Sequence, residues 1–118
     1  MEANFMDLPP VVKLEIFIPE SHLEAISQAL HLAGAGRIGN YDYCKSYQVV
    51  RGTWRPLENA NPYLGEHGQV CTGEELKVEV NCRSELVPAV LKAIRQVHPY
   101  EEPVINIFPL LNHLFESG

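Results

Sequence analysis

The chain has 118 residues, 46% of them hydrophobic and 20% charged, with a formal net charge of −6. That is enough for one domain with a modest core. The acidic balance excludes a phosphate-backbone binder, because few cations are present to displace counterions from nucleic acid, and no apolar run reaches membrane-spanning length.

Neither nucleic acid nor a membrane is therefore expected as a partner. Met1 to Asp7 lacks the basic residues and apolar stretch of a secretory leader. The three cysteines, Cys44, Cys71 and Cys82, are odd in number and contain no CxxC pair. They predict reduced thiols in a cytoplasmic protein and exclude a finger-type zinc site. One domain is expected over residues 1–118, with its core at about 11–110 and residues 1–10 as a loose arm.

In chain order, Val11 to Ile18 alternates, with Val12, Leu14, Ile16 and Ile18 on one face, and predicts a half-buried strand. Ser21-His22-Leu23-Glu24 has the pattern of a capping box. Leu23, Ile26, Leu30 and Ala33 then recur at helical spacing up to Gly34 and Gly36. His22 and His31 on this helix are expected to be exposed. Gly36-Arg37-Ile38-Gly39-Asn40-Tyr41 is a tight connection and no dinucleotide fingerprint, because it follows a helix.

Tyr41 to Arg51 predicts a second strand, with Tyr41, Tyr43, Tyr47 and Val49 on one face and a bulge at Lys45. Gly52 to Glu75 predicts a long irregular loop. Leu76, Val78, Val80 and Cys82 alternate with polar residues in the cleanest strand of the chain. A helix with the stripe Val87, Val90, Leu91, Ile94 and Val97 follows, and Val104 to Phe108 forms a last strand.

The resulting order is βαββαβ. It predicts an α+β, ferredoxin-like sandwich with a four-stranded antiparallel sheet and two helices on one face. The other face is expected to be open, and it or a sheet edge to be buried against a second copy, with Phe17, Val104 or Ile105, Phe108 and the second-strand tyrosines supplying that surface. A homo-oligomer, dimer or trimer, is the expected state.

Three stretches carry recognisable chemistry. His98-Pro99-Tyr100-Glu101-Glu102-Pro103 holds a histidine, a tyrosine and two carboxylates on backbone stiffened by proline. It reads plainly as a rigid turn with local hydrogen bonds, or more sharply as a divalent-metal site with His98 and Glu101 or Glu102 as donors. Donors from another copy, with Cys44 or His67, would have to complete such a site. Gly52-Thr53-Trp54-Arg55-Pro56 and Asn61-Pro62-Tyr63-Leu64-Gly65 combine an aromatic, a guanidinium and stiff turns, a mix suited to recognition. The alternative for Trp54 is that it folds back and caps the sheet.

Gly36-Arg37-Ile38-Gly39-Asn40-Tyr41 with Cys44, Gly52-Thr53-Trp54-Arg55-Pro56, Asn61-Pro62-Tyr63-Leu64-Gly65 and His98-Pro99-Tyr100-Glu101-Glu102-Pro103, in this order, resemble the YqfO-type stand-alone proteins. These are similar to the domain inserted in the larger Nif-three-like proteins, the dinuclear-metal, GTP-cyclohydrolase-like family. The HPYE–Pro–strand piece also resembles the CutA family, divalent-ion-tolerance trimers related in shape to PII signalling proteins. The resemblance covers about Val12 to Leu110. It implies a CutA/PII-like fold, an oligomer and a binding or regulatory role. It does not imply the hydrolase or dinuclear-metal chemistry, which belongs to flanking domains of the larger family. The sequence departs from the pattern at Lys45 and at Glu58-Asn59-Ala60.

Three functions follow for test. The first is a non-catalytic binding module that recognises a protein or small molecule through the loop between the second and third strands and the HPYEEP corner. Its candidate residues are Gly39, Asn40, Tyr41, Cys44, Gly52, Thr53, Trp54, Arg55, Pro56, Asn61, Pro62, Gly65 and Tyr100. The second is a metal-binding protein through His98, Glu101 and Glu102, with a divalent ion as its only candidate cofactor. The third is an enzyme with Cys44 as nucleophile and His98 as base, for which no elbow, P-loop or HExxH motif is present.

Overall fold

The structure is a computed structural model and describes residues 7–116. Its elements are β1 (Val11–Ile18), α1 (Leu23–Leu32), β2 (Ser46–Trp54), β3 (Cys71–Arg83), α2 (Val87–Val97) and β4 (Ile105–Pro109), with short 3-10 turns at Glu20–His22, Ser84–Leu86 and Asn112–Leu114. The sheet order is β2-β3-β1-β4, and every pairing is antiparallel. This is the ferredoxin-like sandwich that the element order predicts.

The core forms where strand alternation meets the helical stripes. Val12, Leu14, Ile16 and Ile18 of β1 lie opposite Cys82, Val80, Val78 and Leu76 of β3. All eight are buried, together with Ile26 and Leu30 of α1 and Val90 and Ile94 of α2. Ser84 is buried at the end of β3, and its hydroxyl and amide are held by the Pro9 and Pro10 carbonyls. Pro88 stands in the first turn of α2, where a missing N–H costs nothing.

Four local expectations change. The capping box does not form: Ser21 Oγ lies 2.9 Å from His22 Nδ1, and α1 starts without a side-chain cap. A 3-10 turn already accepts the chain from Pro19 and removes the need for one. The second strand starts at Ser46 rather than Tyr41, because Ile38 and Tyr41 exchange backbone hydrogen bonds of 2.9 and 3.0 Å in a separate tight turn. Gly52, Thr53 and Trp54 therefore belong to β2, and the long loop shrinks to residues 55–70. The last strand runs one residue later, with Pro109 at its end, tolerated because β4 is a sheet edge.

The open face is largely polar. Lys13, Glu15, Lys77 and Glu79 lie along it, with Lys13 Nζ 2.9 Å from Glu79 and Asn106 donating to Glu15 at 3.0 Å. Phe17 and Phe108 do lie there, with the Lys13 ammonium 6.0 Å from the Phe108 ring. Ile105 packs against the core instead. Tyr47 and Val49, opposite Val78 and Leu76, lie on the helix-bearing side at the sheet edge and stay exposed (55% and 58%).

Candidate functional site

β1 ends at Ile18 opposite Leu76, yet β3 starts at Cys71 and pairs with β2 out to Trp54. Residues 50–54 and 71–75 therefore project past β1 as a two-stranded arm that carries the loop 55–70. The α2–β4 connection, residues 98–104, lies beside this arm.

Trp54 ties the loop to its own arm. It sits opposite Cys71, and its ring lies over Gly73, where a Cβ would stand 3.1 Å from the indole. Trp54 Nε1–H donates to the Leu64 carbonyl at 3.0 Å. Gly65 has φ +103°, and a Cβ there would meet Cys71 Sγ at 2.8 Å and Trp54 Nε1 at 2.9 Å. Only glycine suits both that backbone and that space. Gly68 N–H bonds the carbonyl of buried Pro56 at 2.8 Å, and His67 Nε2 lies 2.6 Å from the Ala60 carbonyl, so the loop is closed by its own backbone.

The same loop reaches the HPYEEP corner. The Asn61 N–H donates to Glu101 Oε1 at 2.8 Å. The Tyr63 ring lies 5.9 Å from that of Tyr100 and edge-on to His22, with centroids 6.2 Å apart. Tyr100 O–H donates to Glu75 Oε2 at 2.9 Å and so straps the corner to the arm. Burial, and then the Glu75 carboxylate, push the Tyr100 phenol far above its ordinary value, so it stays a donor.

His98 is buried at the C-terminal end of α2. Its Nε2 lies 2.7 Å from the Phe17 carbonyl, and its Nδ1 accepts the Tyr100 N–H at 3.2 Å. A carbonyl can only accept, so the proton is on Nε2 and the ring is neutral. Burial, chiefly, holds its pKa below the ordinary histidine value; the Phe17 bond opposes this, His22 adds to the lowering and Glu75 again opposes it.

Of the proposed metal donors, His98 has both ring nitrogens engaged, and Glu101 and Glu102 are exposed, with Glu101 turned to Asn61. Among the described residues no group of three His, Cys, Asp or Glu side chains comes together to hold a metal ion. The donor set of a single copy does not fit a metal.

Gly39, Asn40, Tyr41 and Cys44 lie elsewhere. Cys44 N–H bonds the Gly36 carbonyl and Gly36 N–H the Asn81 carbonyl, both at 2.9 Å. Gly36 has φ +81°, and a Cβ there would stand 3.0 Å from the Cys44 carbonyl oxygen. His98 instead meets Phe17, opposite Lys77. From Lys77 to Asn81 is four strand residues, about 13 Å, so Cys44 and His98 form no nucleophile–base pair. Cys44 Sγ instead faces the Asp42 carbonyl at 3.6 Å. Nor are the α1 histidines fully exposed: His22 meets Tyr63, and His31 stacks on Tyr43 with ring centroids 3.9 Å apart.

The arrangement thus unites Trp54, Pro56, Asn61, Pro62, Gly65, Tyr100 and Glu101 around one loop and one corner. Arg55 is exposed beside them, and Gly52 and Thr53 serve the arm as strand residues. Sequence reasoning missed Glu75 and His22. Neither carries a local signal, since each acquires its partner only through the projecting arm. Chemically, the cluster offers aromatic faces, a guanidinium and exposed carboxylates, a surface for recognition.

Comparison with known proteins agrees on the fold. The family described as CutA1 divalent ion tolerance protein matches residues 63–114, which takes in Glu75, Tyr100 and the HPYEEP corner but only the second half of the loop, without Arg55 or Asn61. The likeness is to a piece of larger proteins as well. A GTP cyclohydrolase 1 type 2 homolog of Halalkalibacterium halodurans is 41% identical over 100 residues, 85% of this chain but 27% of that protein. The crystal structure of a Bacillus cereus protein related to NIF3 superposes with a TM-score of 0.76 at 36% identity, over 86% of this chain and 26% of that one. The PII-like protein CutA from Nostoc sp. PCC 7120 superposes with a TM-score of 0.64 at 17% identity, over 87% of this chain and 84% of its own. The chain thus spans about a quarter of the larger relatives and nearly the whole of a CutA-type chain. Its fold is that of the CutA and PII-like proteins, and its sequence is similar to a part of the NIF3-related proteins.

Proposed function

We propose that the chain is a non-catalytic, oligomeric binding or regulatory module that recognises a protein or small-molecule partner with the loop 55–70 and the HPYEEP corner acting together. The observation that carries this reading is the Asn61–Glu101 hydrogen bond with the Tyr63–Tyr100 contact beside it. Those contacts make one surface from two pieces far apart in sequence. Trp54 and Arg55 are its anchors, the first by aromatic area and the second by planar hydrogen bonding. Self-association is supported by the nine-residue β2, a sheet edge with Tyr47 and Val49 exposed beside it. A dimer or trimer in a cytoplasmic setting is the working state.

Trp54 is the chain's single tryptophan and reports on the loop directly. The relatives are named for GTP, so GTP and ATP are the first probes, titrated while Trp54 emission is followed. A ligand of the module shifts that emission, and the shift is lost in both Arg55→Ala and Glu101→Ala. Binding that leaves Trp54 silent, or that survives both changes, contradicts the reading.

The divalent-ion reading has one support, the description of the matched family. His98 is engaged within its own copy, so the ligands would be Glu101 or Glu102 joined by donors from a second copy, such as Cys44 or His67. Calorimetry with zinc, copper and manganese tests it: neither heat nor a shift in melting temperature removes it.

A further inference from the structure

The loop 55–70 holds large apolar side chains out in solvent. Leu57 (63% exposed), Leu64 (56%) and Val70 (70%) stand on it with Tyr63, and Trp54 stands at its base. The inward places are already taken. Pro56 is buried, the Trp54 ring lies over Gly73, and the Gly68–Pro56 and Trp54–Leu64 hydrogen bonds close the loop on itself. Apolar side chains on a loop closed in this way are preorganised for a macromolecular partner. A small molecule needs a concave site instead. Two concavities of about 420 and 290 Å³ lie at the other end of the sheet, both lined by Val11, Arg37 and Asn81, and neither includes a residue of the loop or of the HPYEEP corner.

Charge then sets the kind of partner. Residues 50–75 and 98–104 carry the carboxylates Glu58, Glu66, Glu74, Glu75, Glu101 and Glu102 against Arg51 and Arg55, so four of the six net negative charges gather at this end. All of these carboxylates but Glu75 are exposed, and among the described residues none of them forms an ion pair. Unpaired carboxylates around apolar side chains complement a partner that is apolar at its centre and basic at its rim. Residues 1–6 and 117–118 do not supply it. Both ends of the described chain lie at the Arg83 end of β3, with Val11 opposite Arg83 and Val12 opposite Pro109. Six residues at about 3.5 Å each cannot span the roughly 40 Å of β3 back to the loop. We propose that the loop 55–70 and the HPYEEP corner dock a basic, apolar segment of a partner protein. Leu57, Leu64 and Val70 receive its apolar side chains, and Glu66, Glu101 and Glu102 its lysines or arginines. The inference rests on the reading of this surface as a binding site and adds the class of its partner.

The test pans a phage-displayed library of random dodecapeptides on the purified chain. The recovered sequences are synthesised without tryptophan and titrated while Trp54 emission is followed. They are expected to carry net positive charge and several Leu, Ile or Phe residues, and to shift the emission. Leu64→Ser, or Glu101→Gln together with Glu102→Gln, weakens them at least about tenfold. Gln keeps the oxygen that the Asn61 N–H needs, so the loop stays joined to the corner. Glu15→Gln together with Glu85→Gln removes the same charge elsewhere and leaves the affinity unchanged. Neutral or acidic peptides that shift Trp54, or GTP or ATP shifting it where no peptide does, overturn this proposal and leave the binding surface standing. Basic peptides that bind the Leu64 and Glu101–Glu102 variants as well as the native chain overturn it too, as does a Trp54 shift that follows protein concentration alone, which makes a second copy the occupant. Silence from every peptide and both nucleotides overturns it together with the binding reading.

Discussion

Single residues already sort into those that react and those that hold. Cys82 is buried in the core opposite Val12, and burial pushes its thiol up to about 11, with Glu85 adding to the shift. Cys44 and Cys71 are half-buried outside the core. An aromatic disulfide reagent at pH 8 is expected to modify Cys44 and Cys71 in the folded protein and Cys82 only on unfolding. Prompt reaction of all three thiols contradicts the packing of β3. His98 has the opposite kind of sensitivity. Its folded pKa lies below the unfolded value of about 6.5, so the unfolded chain takes up a proton more readily. The stability it contributes is intact above that value and falls as the pH drops through it. Protonation also puts a hydrogen on Nδ1, which then cannot accept from Tyr100 N–H. The melting temperature is expected to fall between about pH 7 and pH 5.5, with a shallower fall in His98→Gln. Identical pH profiles would show that His98 is not the titrating group.

At the scale of elements, the sheet and helices were legible because their signals are local. Alternation in Val11 to Ile18 and Leu76 to Cys82, and the stripes of α1 and α2, each specify one buried face. The boundaries of β2 were not legible. Tyr41 to Lys45 has strand-like composition, but the Ile38–Tyr41 turn and Tyr43 at φ 55° take the chain out of the sheet. The face that Tyr47 occupies depends on register with Val78, which no local pattern fixes. The HPYEEP corner was legible as a stiff, polar turn, and the bond from Tyr100 N–H to His98 Nδ1 is local to it, whereas the His98 bond to the Phe17 carbonyl spans 81 residues and carries no local signal. What could not be read is its meeting with Asn61 and Tyr63, a contact 40 residues apart in sequence for Asn61. The arm that creates the meeting also makes it testable. Tyr100→Phe removes the bond to Glu75 and should cost about 1–3 kcal/mol, visible in a urea melt. Gly65→Ala forces a Cβ against Cys71 and Trp54 at a left-handed φ, with a cost of about 1–3 kcal/mol. An unchanged Trp54 emission and midpoint in Gly65→Ala would show that the loop does not pack as described.

The whole molecule is elongated, 53 × 34 × 24 Å, with its unusual features at opposite ends. The arm, loop and corner occupy one end; the chain exits and the Arg37 grooves occupy the other. The middle is an ordinary core, where Ile94→Ala should cost about 2–5 kcal/mol, read in a urea melt. Sedimentation of the intact chain is expected to give a dimer or trimer that weakens on Val49→Lys at the β2 edge, and a lone monomer at every concentration contradicts the oligomeric part of the proposal. The account rests most heavily on the loop and the HPYEEP corner being one physical unit, and the Asn61 amide measures that directly. Hydrogen exchange followed by NMR should find this amide protected in the native protein and at least about tenfold faster in Glu101→Ala, with core amides unchanged. An Asn61 amide that already exchanges at the unprotected rate in the native protein, or one that is indifferent to Glu101, contradicts it.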